Sequence, residues 1–293
     1  MLGNAVITHS SERFRQFQFT TTYRSQEPIK KSSNVNYLHL DIDTLDELLL
    51  EKSLRNADIV INCIGLIWQK ANRCMSEKNF FRVNYEFPLK IQDFQFKFGF
   101  KNIHIGTDCV FNGNSPVPHT EIDTLDATDI YGRSKAKAES ELRNTMILRS
   151  SLIGQSPGAK VSLLDWFLSR EKGCQVKGYS NHYWNGIGTV QLARILSSFI
   201  LRPETIFDGV QHVVPADYVT KFELLSMVGE IYNRKDIVID EYLQETEVNH
   251  LLTTINPTRN IEIWKMAGYS SVPKIHDMVK ELKLFYSKDK KFD

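Results

Sequence analysis

The feature that most constrains this chain is the alternation of β-branched runs with helix-length segments through its first half. Phe17 to Tyr23 is rich in Thr and Phe and reads as a strand, and Val35 to Leu40 reads as a second. The acidic, leucine-rich segment Thr44 to Leu54 reads as a helix. Asp58 to Ile64 (DIVINCI) is a β-branched strand bounded by Gly65, and Asn79 to Phe98 is a long helix. Asn102 to Gly106 reads as a buried strand, Ile130 to Leu142 as a helix, and Thr145 to Ser150 as a strand. Strands alternating with helices of this length imply an α/β fold, a doubly wound parallel sheet with helices on both faces.

After about Ser156 the alternation loosens. Helical stretches Ser162 to Arg170, Thr189 to Leu201 and Lys221 to Tyr232 are separated by short strands and loops. The sequence divides at residues 1–155 and 156–293, the second part a smaller α+β region over the carboxyl edge of the sheet, where open α/β folds bind ligands. The segment near residues 186–206 is expected to return and pack on the first domain.

Composition narrows the partners. Lys and Arg total 36 against 35 acidic residues, so no nucleic-acid partner is expected. The longest apolar stretch, Ala57 to Trp68, is interrupted by Asp58 and Asn62 and is too short to span a bilayer, so no membrane association is expected. No basic segment followed by an apolar run opens the chain, and the four cysteines (Cys63, Cys74, Cys109, Cys174) show neither a CxxC pair nor metal spacing. The expectation is a reduced, cytoplasmic chain with no metal site.

The chemistry-bearing motif is Tyr131-Gly-Arg-Ser-Lys135. Its spacing places both side chains on one helix face. An ammonium close to a phenol favours the phenolate, drawing down a pKa that starts near ~10. Such a Tyr can exchange a proton with a substrate oxygen near neutral pH. Alone, the spacing is equally that of a solvated helix face. Upstream stands His104-Ile-Gly-Thr-Asp-Cys-Val-Phe-Asn-Gly113, a strand running into a Thr-Asp turn. Thr107 at its carboxyl end can donate to the carbonyl oxygen that Tyr131 protonates, although a capping hydroxyl would look the same.

Here the chain resembles a known family. The segment is similar to the "STDYVFDG" signature of dTDP-4-dehydrorhamnose reductases, and an acidic loop (Thr120-Glu121-Ile-Asp123) and the YGxSK helix follow it. Asp58-Ile-Val-Ile-Asn62, Val83-Asn84, Ile147-Leu-Arg-Ser150 and Tyr218-Val-Thr-Lys-Phe-Glu-Leu-Leu225 match further family segments in order, across nearly the whole chain. The resemblance implies a Rossmann-like member of the extended short-chain dehydrogenase/reductase superfamily. It implies that a nicotinamide cofactor reduces C4 of a nucleotide-activated 4-keto sugar, in deoxysugar or surface-polysaccharide biosynthesis. Tyr131 then protonates the oxygen, Lys135 holds the nicotinamide ribose and tunes Tyr131, and Thr107 positions the carbonyl. Asp108, Val110, Phe111, Tyr183 and Trp184 are expected to line the substrate side, and a homodimer is compatible with this reading.

The cofactor site is expected to begin late. Met1-Leu-Gly3-Asn-Ala-Val resembles the tail of the family's glycine-rich loop, so Gly3 is read as its last glycine, with the first strand and most of that loop absent. Arg24 and Ser25, just past the second strand, suit a 2′-phosphate and favour NADPH, with NADH the alternative. Asp41 and Ile42 match the adenine-contacting position. Cys63, Ile64, Gly65 and Asn84 are expected along the cofactor cleft. Cys109 stands where the family has Tyr, Ser151-Leu152-Ile153 where it often has Trp, and Asn181-His-Tyr-Trp-Asn-Gly186 replaces its usual stretch, which leaves the sugar open. A nucleotide-sugar epimerase or dehydratase of the same superfamily and a non-catalytic regulatory relative are the competing readings.

Overall fold

A computed structural model describes residues 1–24, 32–67, 76–156 and 162–289. Helix α1 (Leu2–Ser11) leads to strands β1 (Phe19–Tyr23) and β2 (Val35–His39), which pair in parallel. Helix α2 (Glu47–Leu54) begins later than Thr44 because a 3₁₀ turn, Ile42–Thr44, comes first and Asp46 caps the helix, accepting from the Leu49 N–H at 3.0 Å. Strand β3 (Ile59–Asn62), helices α3 (Glu77–Phe81) and α4 (Phe87–Phe98), β4 (Lys101–Ile105), α5 (Ile130–Glu141) and β5 (Thr145–Arg149) follow.

The single helix expected over 79–98 is interrupted by a π-helical turn, Arg82–Glu86. Pro88 has no N–H to return to the carbonyl four residues earlier, and the widened turn before it takes up that missing bond.

The second half contributes β6 (Leu152–Ile153), α6 (Leu163–Leu168), β7 (Gln175–Tyr179), β8 (His182–Trp184), β9 (Ile187–Gly188) and α7 (Thr189–Leu201). Then come β10 (Gly209–His212), β11 (Val219–Thr220), α8 (Lys221–Ile231), β12 (Val238–Tyr242), β13 (Val248–Asn249), α9 (Pro257–Met266) and α10 (Ile275–Asp289).

The expected doubly wound parallel sheet is present in two pieces. One runs β10-β5-β4-β3, all parallel; the other is the β1-β2 pair. Among the described residues, β1 and β3 each keep one edge without a strand partner. Within the larger piece burial falls toward its β3 edge: every residue of β5 is buried, whereas Ile59, Val60 and Ile61 of β3 are half-buried.

Helices cover the sheet from both sides. The main core joins Ile103, Met146 and Leu148 of the sheet to Leu192, Ile195 and Leu196 of α7. Helix α1 packs on α7, where the Ser10 and Ser197 hydroxyls meet at 2.7 Å. A second cluster gathers Leu50, Leu54, Phe87, Ile91 and Phe100. The chain returns to the first piece twice, through α7 and through β10 beside β5. The remaining strands form three small sheets, β6-β9, β11-β8-β13 and β12-β7, with α8 packed against the last two. No described helix is long and apolar enough to cross a membrane.

Candidate active site

The site forms where β4 ends. Thr107 accepts from the Cys109 N–H at 3.2 Å and donates to Asp108 Oδ1 at 3.1 Å, tightening a short 3₁₀ turn, Asp108–Val110. Helix α5 seats directly on that turn. A Cβ at Gly132 would collide with the Cys109 carbonyl, so the glycine after Tyr131 is what allows the approach. Asp129 caps the helix through the N–H groups of Tyr131 (2.9 Å) and Gly132 (3.1 Å). Tyr131 is thereby brought close enough to the Thr107 hydroxyl for it to favour the charged form of the phenol.

Lys135 lies one turn deeper and is buried. Its Nζ donates to the Ile105 carbonyl at 2.6 Å and lies 3.0 Å from His104 Nε2. Below it, Arg149 and Glu139 form an ion pair at 2.5 Å in which both side chains are 1% exposed. His212 Nε2 lies 2.7 Å from the same guanidinium.

The electrostatics correct one expectation. Burial pushes the Tyr131 phenol above its ordinary pKa, Cys109 adds to the rise, and the Thr107 hydrogen bond opposes it. Burial likewise draws the Lys135 ammonium down to about 8, against Glu139 and Cys63. Lys135 therefore does not generate a phenolate here, because its Nζ is turned to Ile105 and His104. Tyr131 at neutral pH is a phenol, the protonation state a proton donor requires.

Gly3 sits in the first turn of α1, with the space for its missing Cβ 3.7 Å from Cys63. No side chain caps that helix. A ten-residue helix with no side-chain cap, beginning beside Cys63, fits a dinucleotide pyrophosphate. Burial raises the Cys63 thiol to about 12, so it stays protonated. Asn84 is committed elsewhere: it bonds both backbone groups of Leu66 (2.8 and 3.0 Å) and Ser134 Oγ (3.0 Å), tying the loop after β3 to α5.

Where the adenosine is expected, past β1 and β2, Arg24 pairs with Asp41 (3.5 Å) and Asp43 (3.2 Å). Arg82, from the π turn, also reaches Asp43, and its buried Nε meets no partner among the described residues. Ile42 lies in the turn between these acids. Ser25 falls outside the described residues.

Among the residues expected to line the substrate, Asp108 is buried beside Thr107 and Cys109. Two expected lining residues are core instead. Val110 and Phe111 are buried with Val214 and Leu252, and Phe111 stacks on His119 at 3.9 Å. Trp184 is also buried, its Nε1 donating to Ser151 Oγ at 2.8 Å. Tyr183 keeps a half-buried ring, edge-on to the exposed Tyr218 at 6.1 Å.

Sequence reasoning passed over Lys221, His104 and Glu139. Lys221 opens α8, its ammonium 5.2 Å from the Trp184 ring centre. Burial lowers its pKa, while Asp108 and Cys109 raise it. A His in an otherwise apolar buried strand was the available signal for His104. Among the described residues, no three His, Cys, Asp or Glu side chains gather as metal ligands.

Comparison with known proteins places this geometry in context. The sequence profile described as "RmlD substrate binding domain" matches residues 1–251. The spore coat polysaccharide biosynthesis protein SpsK of Bacillus subtilis (strain 168) is 41% identical over 138 residues, covering 46% of this chain and 47% of that protein. The match thus spans about half the length of this curated relative. The crystal structure of dTDP-4-dehydrorhamnose reductase from Bacillus anthracis in complex with NADP superposes with a TM-score of 0.70 at 15% identity, over 92% of this chain and 99% of that one. The dTDP-glucose 4,6-dehydratase of the same organism, in complex with NAD, superposes with a TM-score of 0.73 at 14% identity, over 99% and 94% of the two chains. At such identities the two structures speak to the fold, a Rossmann-type α/β sheet.

Proposed function

This chain belongs to the RmlD substrate binding domain family, and from that premise we propose that it is an NADPH-dependent reductase of a nucleotide-activated 4-keto sugar. The observation that carries the reading is Tyr131 beside Thr107 just past the carboxyl end of β4, held as a phenol, with Lys135 bonded to the Ile105 carbonyl at the end of that strand. A bound nicotinamide supplies the hydride. Tyr131 gives its proton to the C4 oxygen, Thr107 orients that carbonyl, and Lys135 holds the nicotinamide ribose.

Gly3, Cys63, Ile64 and Gly65 hold the pyrophosphate and nicotinamide half of the cofactor, and Asp41 and Ile42 the adenosine. Arg24 favours a 2′-phosphate, which must take the place of Asp41 or Asp43 on its guanidinium. NADH is the alternative cofactor. Tyr183 and Lys221 face the sugar nucleotide. The SpsK likeness supports a role in polysaccharide biosynthesis; a cytoplasmic location and a homodimer complete the proposal.

The test is a fluorescence titration with NADPH followed by turnover of a dTDP-4-keto-6-deoxy sugar. The expected result is cofactor binding and one NADPH oxidised per sugar reduced. Sugar conversion without NADPH consumption assigns an epimerase or dehydratase instead, and no cofactor binding assigns a non-catalytic relative.

A further inference from the structure

Behind Lys135 runs a chain of polar groups that neither proton transfer nor cofactor contact requires. Asn62 and His104 are register partners on β3 and β4, and both are buried. The Ile64 N–H donates to Asn62 Oδ1 at 3.0 Å, which fixes the orientation of that amide. Asn62 Nδ2 then faces His104 Nδ1 at 3.3 Å. An amide nitrogen donates and does not accept, so Nδ1 is the acceptor. His104 is neutral, because burial and then Lys135 hold its pKa well below the ordinary value. Its one ring proton therefore lies on Nε2, 3.0 Å from Lys135 Nζ. An N–H aimed at an ammonium sets donor against donor; aimed at an uncharged amine it finds a lone pair.

We propose that His104 is a positioning residue that couples the charge of Lys135 to the loop after β3. With Lys135 an uncharged amine, the run Ile64–Asn62–His104–Lys135 is continuous. Protonating Lys135 turns the ring proton to Nδ1, sets it against Asn62 Nδ2, and releases the Ile64 amide. Coupling of this kind is reciprocal: whatever holds the Ile64 amide on Asn62 favours the uncharged amine.

The groups facing Lys135 from each neighbouring element leave it as the titrating one. They are His104 from β4, Cys63 from the end of β3, and Glu139 from its own helix, with Arg149 of β5 behind Glu139. Cys63 and Tyr131 stay protonated, Glu139 is ion-paired, and Lys135 titrates near about 8.

The inference rests on reading Lys135 as the active-site lysine, but its test needs no turnover. The full chain is labelled with ¹⁵N-isoleucine, the Ile64 peak is identified with Ile64→Val, and its amide shift is followed from about pH 6 to about pH 10 without cofactor. The expected result is a titration of Ile64 with a midpoint near about 8, lost in both Lys135→Met and His104→Phe. His104→Gln, which keeps an N–H donor and a carbonyl acceptor, restores it. A titration that survives in Lys135→Met overturns the proposal, as does an Ile64 amide that does not move in the wild type. Both readouts stand even where His104→Phe fails to fold. A linked titration in a chain that never oxidises NADPH upholds this inference and sinks the reductase reading.

Discussion

The two pieces of the sheet hold charge in opposite ways. In the β3-to-β10 piece, Arg149 and Glu139 are paired at 1% exposure each, beneath a buried Lys135. At the β1-β2 piece, Arg24 is 58% exposed and shares Asp41 and Asp43 with the solvent. The same residue types therefore do different work. Buried charges fix geometry, since an unpaired one is intolerable there. Exposed pairs exchange partners cheaply, which suits the proposed admission of a dinucleotide. The groups assigned to proton transfer lie on the rigid piece, and those assigned to the adenosine end on the adaptable one.

Four variants break or sharpen this contrast. Tyr131→Phe, on the rigid piece, is expected to lower kcat by about 10²–10⁴ with little change in KM for the sugar, measured in steady state. Arg149→Met leaves Glu139 buried without its partner and is expected to remove about 3–5 kcal/mol of stability in urea unfolding.

Lys135→Met is expected to stabilise the chain at neutral pH by on the order of 2 kcal/mol. The folded chain binds the Lys135 proton at about 8 rather than at the ordinary 10.5, so between those values the unfolded chain holds more protons and stability rises with pH. The penalty is complete below about 8 and gone above about 10.5, so the gap between variant and wild type closes over that interval. Asp43→Ala, on the adaptable piece, is expected to change stability by less than about 1 kcal/mol. By freeing Arg24 it should tighten NADPH relative to NADH several-fold, read from fluorescence titrations. A large stability loss there would erase the distinction between the pieces.

Much of the rigid piece was legible in the sequence, because parallel strands buried on both faces announce themselves as β-branched runs. Helix Thr189–Leu201 has the ends its periodicity implies. The break at Arg82–Glu86 was hidden because one proline acts on hydrogen bonds, not on hydrophobic spacing. Helices α9 and α10 carry enough polar residues to pass as loop. At the site, the motif residues Thr107, Tyr131 and Lys135 were legible and their neighbours were not. Alternation reports that His104 is buried but not what it faces, and Glu139 reads as an ordinary helix-surface acid until Arg149 is placed beside it. Val110 and Phe111 mislead in the reverse direction, since residues next to a reactive turn often serve as its packing.

The central claim is that Tyr131 completes a hydride reduction at a sugar carbonyl. Incubating the chain with a dTDP-4-keto-6-deoxy sugar and NADPH deuterated at the transferring position of the nicotinamide C4, then reading the product by mass spectrometry, tests it most directly. The account predicts one deuterium on C4 of the reduced sugar, formed by the wild type and lost with Tyr131→Phe. A product without deuterium, or deuterium transfer undiminished by Tyr131→Phe, would contradict it.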